Sequence, residues 1–74
     1  MAKREFEALQ LTLSANVRRL RKQQGFSQER LALEAGVDRT LVSKIERVIA
    51  NPTLEILVKL AVVLDIPVSR LLKD

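Results

Sequence analysis

Five side chains in one short stretch, Arg39, Thr40, Ser43, Lys44 and Arg47, carry the means to bind a patterned polyanion. They fall at i, i+1, i+4, i+5 and i+8, the spacing of one face of an α-helix, and offer cations and hydroxyls together. Val42, Ile45 and Ile49 recur at intervals of three and four on the other side and are expected to face inward. A short helix with an apolar back and a cationic front suits the major groove of DNA, which admits one helix and displays donors and acceptors on base edges. An ordinary solvated helix face is also rich in Lys, Arg and Ser, so charge alone leaves both readings open. Enzymatic chemistry has less to work with. The chain has no His and no Cys, which removes the usual pairings of nucleophile and base and any Cys-based metal site. Glu29, Glu34 and Glu46 remain as carboxylates on a helical framework with no evident pocket. No catalytic residue, metal ligand or cofactor is expected.

The elements that must position this face begin at Ser27. Its hydroxyl can accept from the free N–H groups of the next turn, opening a small helix to Ala35 with Leu31, Ala32 and Ala35 on one side. Gly36 can take positive φ just past that helix without a Cβ penalty, so the chain turns sharply there. Val37 is expected to plug the turn from inside. Asp38 is a good N-cap for the helix that carries Val42 and Ile45.

Taken whole, the stretch from Gln28 to Arg47 resembles the helix-turn-helix of the lambda and 434 repressor and Cro family, also called the XRE family. The residues that carry the resemblance are Gln28 opening the first helix, Ala32 where the helices cross, Gly36 in the turn, and Val42 and Ile45 anchoring the recognition helix. It extends from about Leu13 to Leu72, through LRKQQGFSQ before the motif and NPTLEIL after it. The resemblance implies an all-α fold, a compact five-helix DNA-binding domain whose helices 2 and 3 form the helix-turn-helix. It also implies that Gln28 anchors the first motif helix to the DNA backbone, aided by the positive end of that helix. Arg21 would pair with Glu46 and tie two helices together, the alternative being one more phosphate contact. Many relatives carry glycine after the recognition helix where this chain has Val48, and a β-branched residue resists positive φ. Either the helix continues through Ile49 or the turn takes another form.

At 74 residues the chain is one domain, small for a fold without disulfides. Its hydrophobic residues make up 47% of the sequence, yet its only aromatics are Phe6 and Phe26, so the core must be aliphatic and helical packing is the natural way to build it. Phe26, just before the Ser27 cap, fits the outer position of a hydrophobic staple. The net charge is +4, and the window from Asn16 to Asn51 holds all of the excess, as a polyanion-binding surface requires. No apolar run approaches a bilayer span and the N-terminus is too charged for a signal peptide, so no membrane association is expected and a cytoplasmic protein is, bacterial or phage-encoded and working at the nucleoid.

Residues 1–12 form an N-terminal extension, read either as an early start to the first helix (Phe6 and Leu9 continue the spacing of Leu13, Val17 and Leu20) or as an arm whose Lys3 and Arg4 reach DNA. Residues 13–72 are the DNA-binding domain. Its fourth helix, Thr53 to Leu64, is apolar nearly all round, and Leu54, Leu57, Ala61 and Leu64 can serve the core. The remainder needs cover. Ile56, Val62 and Val63, continued by Ile66, Val68, Leu71 and Leu72, are expected to meet a second subunit, a greasy monomer surface being the alternative. Dimerisation through this region is common in the family.

These expectations combine into a sequence-specific transcriptional regulator that binds an inverted-repeat operator on double-stranded DNA as a homodimer. Two recognition helices then sit ~34 Å apart, one DNA turn. Arg39 would read guanine, Thr40 a thymine methyl or phosphate, Ser43 and Lys44 bases or nearby backbone, and Arg47 and Arg18 phosphate. No sensor is expected within these residues, so control would come through concentration and dimerisation. Autoregulation follows, in the manner of a Cro-like repressor or of the controller proteins of restriction-modification systems, which GVDRTLVSKIER and VLDIP resemble. The other class is an interaction module of the same fold, an antitoxin or bridging protein, with a toxin or RNA polymerase as partner.

Overall fold

The computed structural model describes residues 2–74, and Met1, the start of the N-terminal extension, lies outside them. Every regular element among the described residues is helical. Helix α1 spans Ala2–Gln23, α2 Gln28–Ala35, α3 Leu41–Glu46 and α4 Leu54–Leu64, and a 3-10 helix, Val68–Leu72, ends the chain. Among the described residues four α-helices thus form where five helices were expected. Pro67 starts the last segment in an extended conformation and only five residues follow in regular structure, a length at which the tighter 3-10 turn is common.

With neither Pro nor Gly before Gly25, α1 runs unbroken through the N-terminal extension. Its 22 residues make it about 33 Å long at 1.5 Å per residue, matching the 35 Å long dimension of the molecule. Leu13 and Val17 of α1, Leu31 and Ala32 of α2, Val42 and Ile45 of α3, and Leu57, Leu60, Ala61 and Leu64 of α4 form the core. Burying each of the larger aliphatic side chains contributes about 1.5–3 kcal/mol. Ala32 is fully buried, and its small side chain lets α3 approach α2 closely. On α4 the buried set is spaced i, i+3, i+4 and i+7 from Leu57, so Leu60 belongs to the core and Leu54, in the first turn, is 70% exposed.

Leu71 is likewise fully buried, so it is a core residue and not part of a dimerisation surface. Asn16 of α1 draws it in: its Nδ2 donates to the carbonyls of Arg70, Leu71 and Lys73 at 3.2, 3.0 and 2.9 Å. Ile56, Val63, Ile66, Val68 and Leu72 pack against the core from its margin, and Val62 alone of the expected set is well exposed, at 72%.

Each α-helix among the described residues is followed within two residues by one in the left-handed region: Gly25, Gly36, Val48 and Asp65. At each, the next N–H reaches back to the carbonyl five residues before it: Phe26 to Arg21, Val37 to Ala32, Ile49 to Lys44, and Ile66 to Ala61. Gly36 takes this conformation freely. Val48, at φ 63, does not, and its Cβ costs about 1–2 kcal/mol there. The turn after α3 therefore has the form a glycine would give it, and neither sequence alternative holds. Two hydrogen bonds from α1 hold it in place, Ser14 Oγ to the Glu46 carbonyl at 2.8 Å and Gln10 Nε2 to the Ala50 carbonyl at 2.8 Å. Because α3 stops at Glu46, Ile49 falls outside the helix and is 62% exposed instead of facing inward.

Candidate nucleic-acid interface

The cationic stretch sits where α2 and α3 meet the surface. Ser27 opens α2 from an extended conformation, its Oγ accepting from the Arg30 N–H at 2.9 Å. Asp38 does not cap α3 directly. Its Oδ1 accepts from both the Thr40 N–H (2.8 Å) and the Thr40 hydroxyl (2.7 Å), closing a side-chain turn that mimics a backbone one. The Leu41 N–H then bonds the Asp38 carbonyl, and regular α-helix begins at Leu41 with Thr40 as the capping position. Arg39 and Thr40 thus stand on the turn before α3 and not within it. Hydrogen bonding from the Thr40 hydroxyl, then from its N–H, holds the Asp38 carboxyl below its ordinary range.

Beneath this turn Val42 and Ile45 are 0% and 2% exposed, which fixes the opposite side of α3 outward. Arg39, Thr40, Lys44 and Arg47 are exposed and Ser43 is half-buried. An open cleft of about 730 Å³ beside Arg39 is lined by that residue and by Gly25, Ser27, Glu29, Arg30, Leu33 and Val37. Among the described residues no cluster of carboxylates or imidazoles could hold a metal ion.

Glu46, the last residue of α3, anchors this surface from behind. Its side chain is fully buried. Arg21 Nε donates to Oε2 at 2.7 Å and Arg21 Nη2 to Oε1 at 3.0 Å, a two-pronged ion pair between α1 and α3. Gln28 Nε2 and Arg18 Nε also donate to Oε1, at 3.0 and 3.3 Å, which brings the start of α2 into the same network. Burial pushes the Glu46 carboxyl up, but hydrogen bonds from Arg21, Gln28 and Arg18 and the charge of Arg21 outweigh it and hold the group below its usual range. The same Glu46 bond raises Arg21, whose remaining Nη1 donates to the Phe26 carbonyl. Arg18 keeps 55% of its side chain exposed, so its guanidinium borders both the network and solvent.

Arg39 has a carboxylate of its own. Its Nη2 lies 3.6 Å from Glu29 Oε2 of α2, with 79% and 71% of the two side chains exposed. The sequence reading missed this pair and the α1 bonds from Gln10 and Ser14. The signal for the latter was present: Gln10, Ser14 and Arg18 repeat at intervals of four, with Arg21 beside them, a polar stripe along the margin of the apolar face of α1.

Comparison with known proteins places the chain among relatives. A family model described as helix-turn-helix matches residues 17–71. The HTH-type transcriptional regulator SinR of Bacillus licheniformis is 36% identical over 63 residues, covering 84% of this chain and 57% of SinR. For the HTH-type transcriptional regulator SutR of Escherichia coli (strain K12) the identity is 40% over 63 residues, covering 85% of this chain and 35% of that protein. The chain therefore spans about half the length, or less, of these curated relatives. Among solved structures it is similar to the hypothetical transcription factor NHTF from Neisseria (TM-score 0.85, 40% identity, 88% of this chain and 75% of that one). It is also similar to the restriction-modification controller protein C.AhdI from Aeromonas hydrophila (TM-score 0.79, 39% identity, 84% and 94%). A third similar structure is that of SinR, the master regulator for biofilm formation, in complex with DNA (TM-score 0.78, 37% identity, 82% and 98%).

Proposed function

Because this chain belongs to the helix-turn-helix family, we propose that it is a sequence-specific, DNA-binding transcriptional regulator in which α2 and α3 form the motif and α3 enters the major groove. The observation that carries the proposal is the pairing of buried Val42 and Ile45 with the exposed cationic surface of Arg39, Lys44 and Arg47 directly above them. Arg39 reads a guanine edge by paired hydrogen bonds, and Thr40 meets a thymine methyl or a phosphate. Ser43 and Lys44 touch bases or adjoining backbone. Arg47 and Arg18 hold phosphate. Gln28 contributes at the start of α2, where the free N–H groups and the positive helix end favour an anion.

The regulator works as a homodimer on an inverted repeat. Support comes from α4, where Leu54, Val58 and Val62 are 70%, 43% and 72% exposed at i, i+4 and i+8, a continuous apolar stripe in so small a domain. A second copy covers that stripe together with the margin residues Ile56, Val63, Ile66, Val68 and Leu72. Similarity to the restriction-modification controller protein C.AhdI supports a regulatory role, and the proposal includes autoregulation of the protein's own promoter.

Selection of bound sequences from a random duplex library, with the mass of the protein in solution measured in parallel, tests this reading. The expected result is a dimer and a two-fold symmetric site with half-sites about one DNA turn apart. A monomer that recovers no sequence preference overturns it.

A further inference from the structure

We infer that Glu29 is a positioning residue for base reading, acting through Arg39; the inference rests on the DNA-binding role proposed above. The Arg39 guanidinium and Glu29 carboxylate lie 3.6 Å apart and both are largely exposed. A pair in that setting contributes little to folding, since solvent screens it and two long side chains must be ordered to make it. Its place is what matters. Arg39 stands on the turn before α3, where no helical neighbour restrains it, while Glu29 is fixed in the first turn of α2 beside the Ser27 cap. An unrestrained arginine next to a polyanion collapses onto the nearest phosphate and loses its power to discriminate, because phosphate carries no sequence information. Glu29 opposes this in two ways. At 3.6 Å its charge attracts one edge of the guanidinium, leaving the other N–H donors in their planar fork for a base edge, and the same negative charge makes the surrounding space unfavourable for phosphate.

The arrangement differs from the Arg21–Glu46 pair, which is sequestered from DNA and ties helices together. Glu29 is no part of the core and makes no backbone contact through its side chain among the described hydrogen bonds, so its removal leaves the fold intact.

The test is Glu29→Gln and Arg39→Ala, singly and combined, each assayed at one salt concentration on the duplex recovered by the wild type, on its single base-pair variants and on a scrambled duplex. Glu29→Gln is expected to reduce discrimination about tenfold at the base pair that Arg39→Ala identifies, leave other positions unchanged, and strengthen binding to the scrambled duplex. In the Arg39→Ala background it is expected to change no base preference. If Glu29→Gln instead shifts affinity equally on every duplex, the carboxylate is a charge and not a positioning group. Loss of preference that persists without Arg39 also overturns the inference. Both failures are read with a wild type that does select sequence; a wild type indifferent to sequence overturns the DNA-binding reading as well.

Discussion

Two of the arginine–glutamate pairs around α2 and α3, Arg21 with Glu46 and Arg39 with Glu29, share one chemistry in opposite settings. Arg21 and Glu46 meet at 2.7 Å with 11% and 0% of their side chains exposed, and every buried side-chain nitrogen and oxygen among the described residues has a partner. Arg39 and Glu29 meet at 3.6 Å in the open. Burial makes the first pair costly to break, because whichever partner remains is left as an uncompensated charge away from water. Exposure makes the second cheap to break, as the proposed exchange of Glu29 for a base edge requires. The contrast shows how one small domain separates the charge that ties α3 to α1 from the charge exposed on the turn before α3.

The largest expected effect comes from breaking the buried pair. Glu46→Ala should cost about 3–5 kcal/mol of stability, read as a fall in the midpoint of urea unfolding. The pH dependence follows from the same group. Because the folded protein holds the Glu46 carboxyl below its unfolded value, its contribution is fully present above the ordinary carboxylate range and is lost as pH falls through the folded value. Glu46→Gln should therefore flatten the acid limb of the stability profile, and an unchanged limb would show that the pair is not what titrates. Arg39→Ala, at the exposed pair, should leave the unfolding midpoint within about 0.5 kcal/mol of wild type. What it should remove is about 1–3 kcal/mol of discrimination between base pairs.

A smaller effect sits beside the buried pair. Val48→Gly relieves the left-handed strain after α3 and should gain about 1 kcal/mol, a rise visible in thermal unfolding. No gain would mean that the freedom glycine gives the unfolded chain, with the lost packing of half-buried Val48, offsets the relieved strain. Arg18, bonded to Glu46 yet 55% exposed, is the intermediate case. Arg18→Ala should cost about 0.5 kcal/mol or less in stability, weaken binding to all duplexes alike, and reduce the slope of log affinity against log salt by about 1.

The sequence made the backbone of this account legible wherever local chemistry and long-range packing agree. Ser27 and Thr53 each accept from the N–H three residues on, as their type and place imply, and the spacing of Val42 and Ile45 points them into the core. It was less legible where tertiary contacts override local preference. Val48 occupies a conformation its own side chain opposes, because α1 bonds the carbonyls on either side of it. Asp38 spends its carboxylate on Thr40 and so shortens α3 at its start, which the good capping type of Asp38 did not foretell. Leu54 and Leu60 both fit an apolar helix, and only the position of α4 against its neighbours decides that Leu60 is buried and Leu54 is not. Leu71 lies in a segment too short for periodicity to place, and Asn16, distant in sequence, draws it inward. The polar pairs at the surface, Arg39 with Glu29 above all, depend on how α2 and α3 are juxtaposed and leave no periodic trace.

We propose a division of labour in which the exposed turn and α3 read sequence while the buried pair only holds them in place. It is tested most directly by measuring, at one salt concentration, the affinity of wild type and Arg39→Ala for the selected duplex and for each of its single base-pair variants. Loss of discrimination at one base pair in each half-site, with discrimination kept at every other position, is the predicted result, and an equal loss of affinity on the selected duplex and on all of its variants would contradict it.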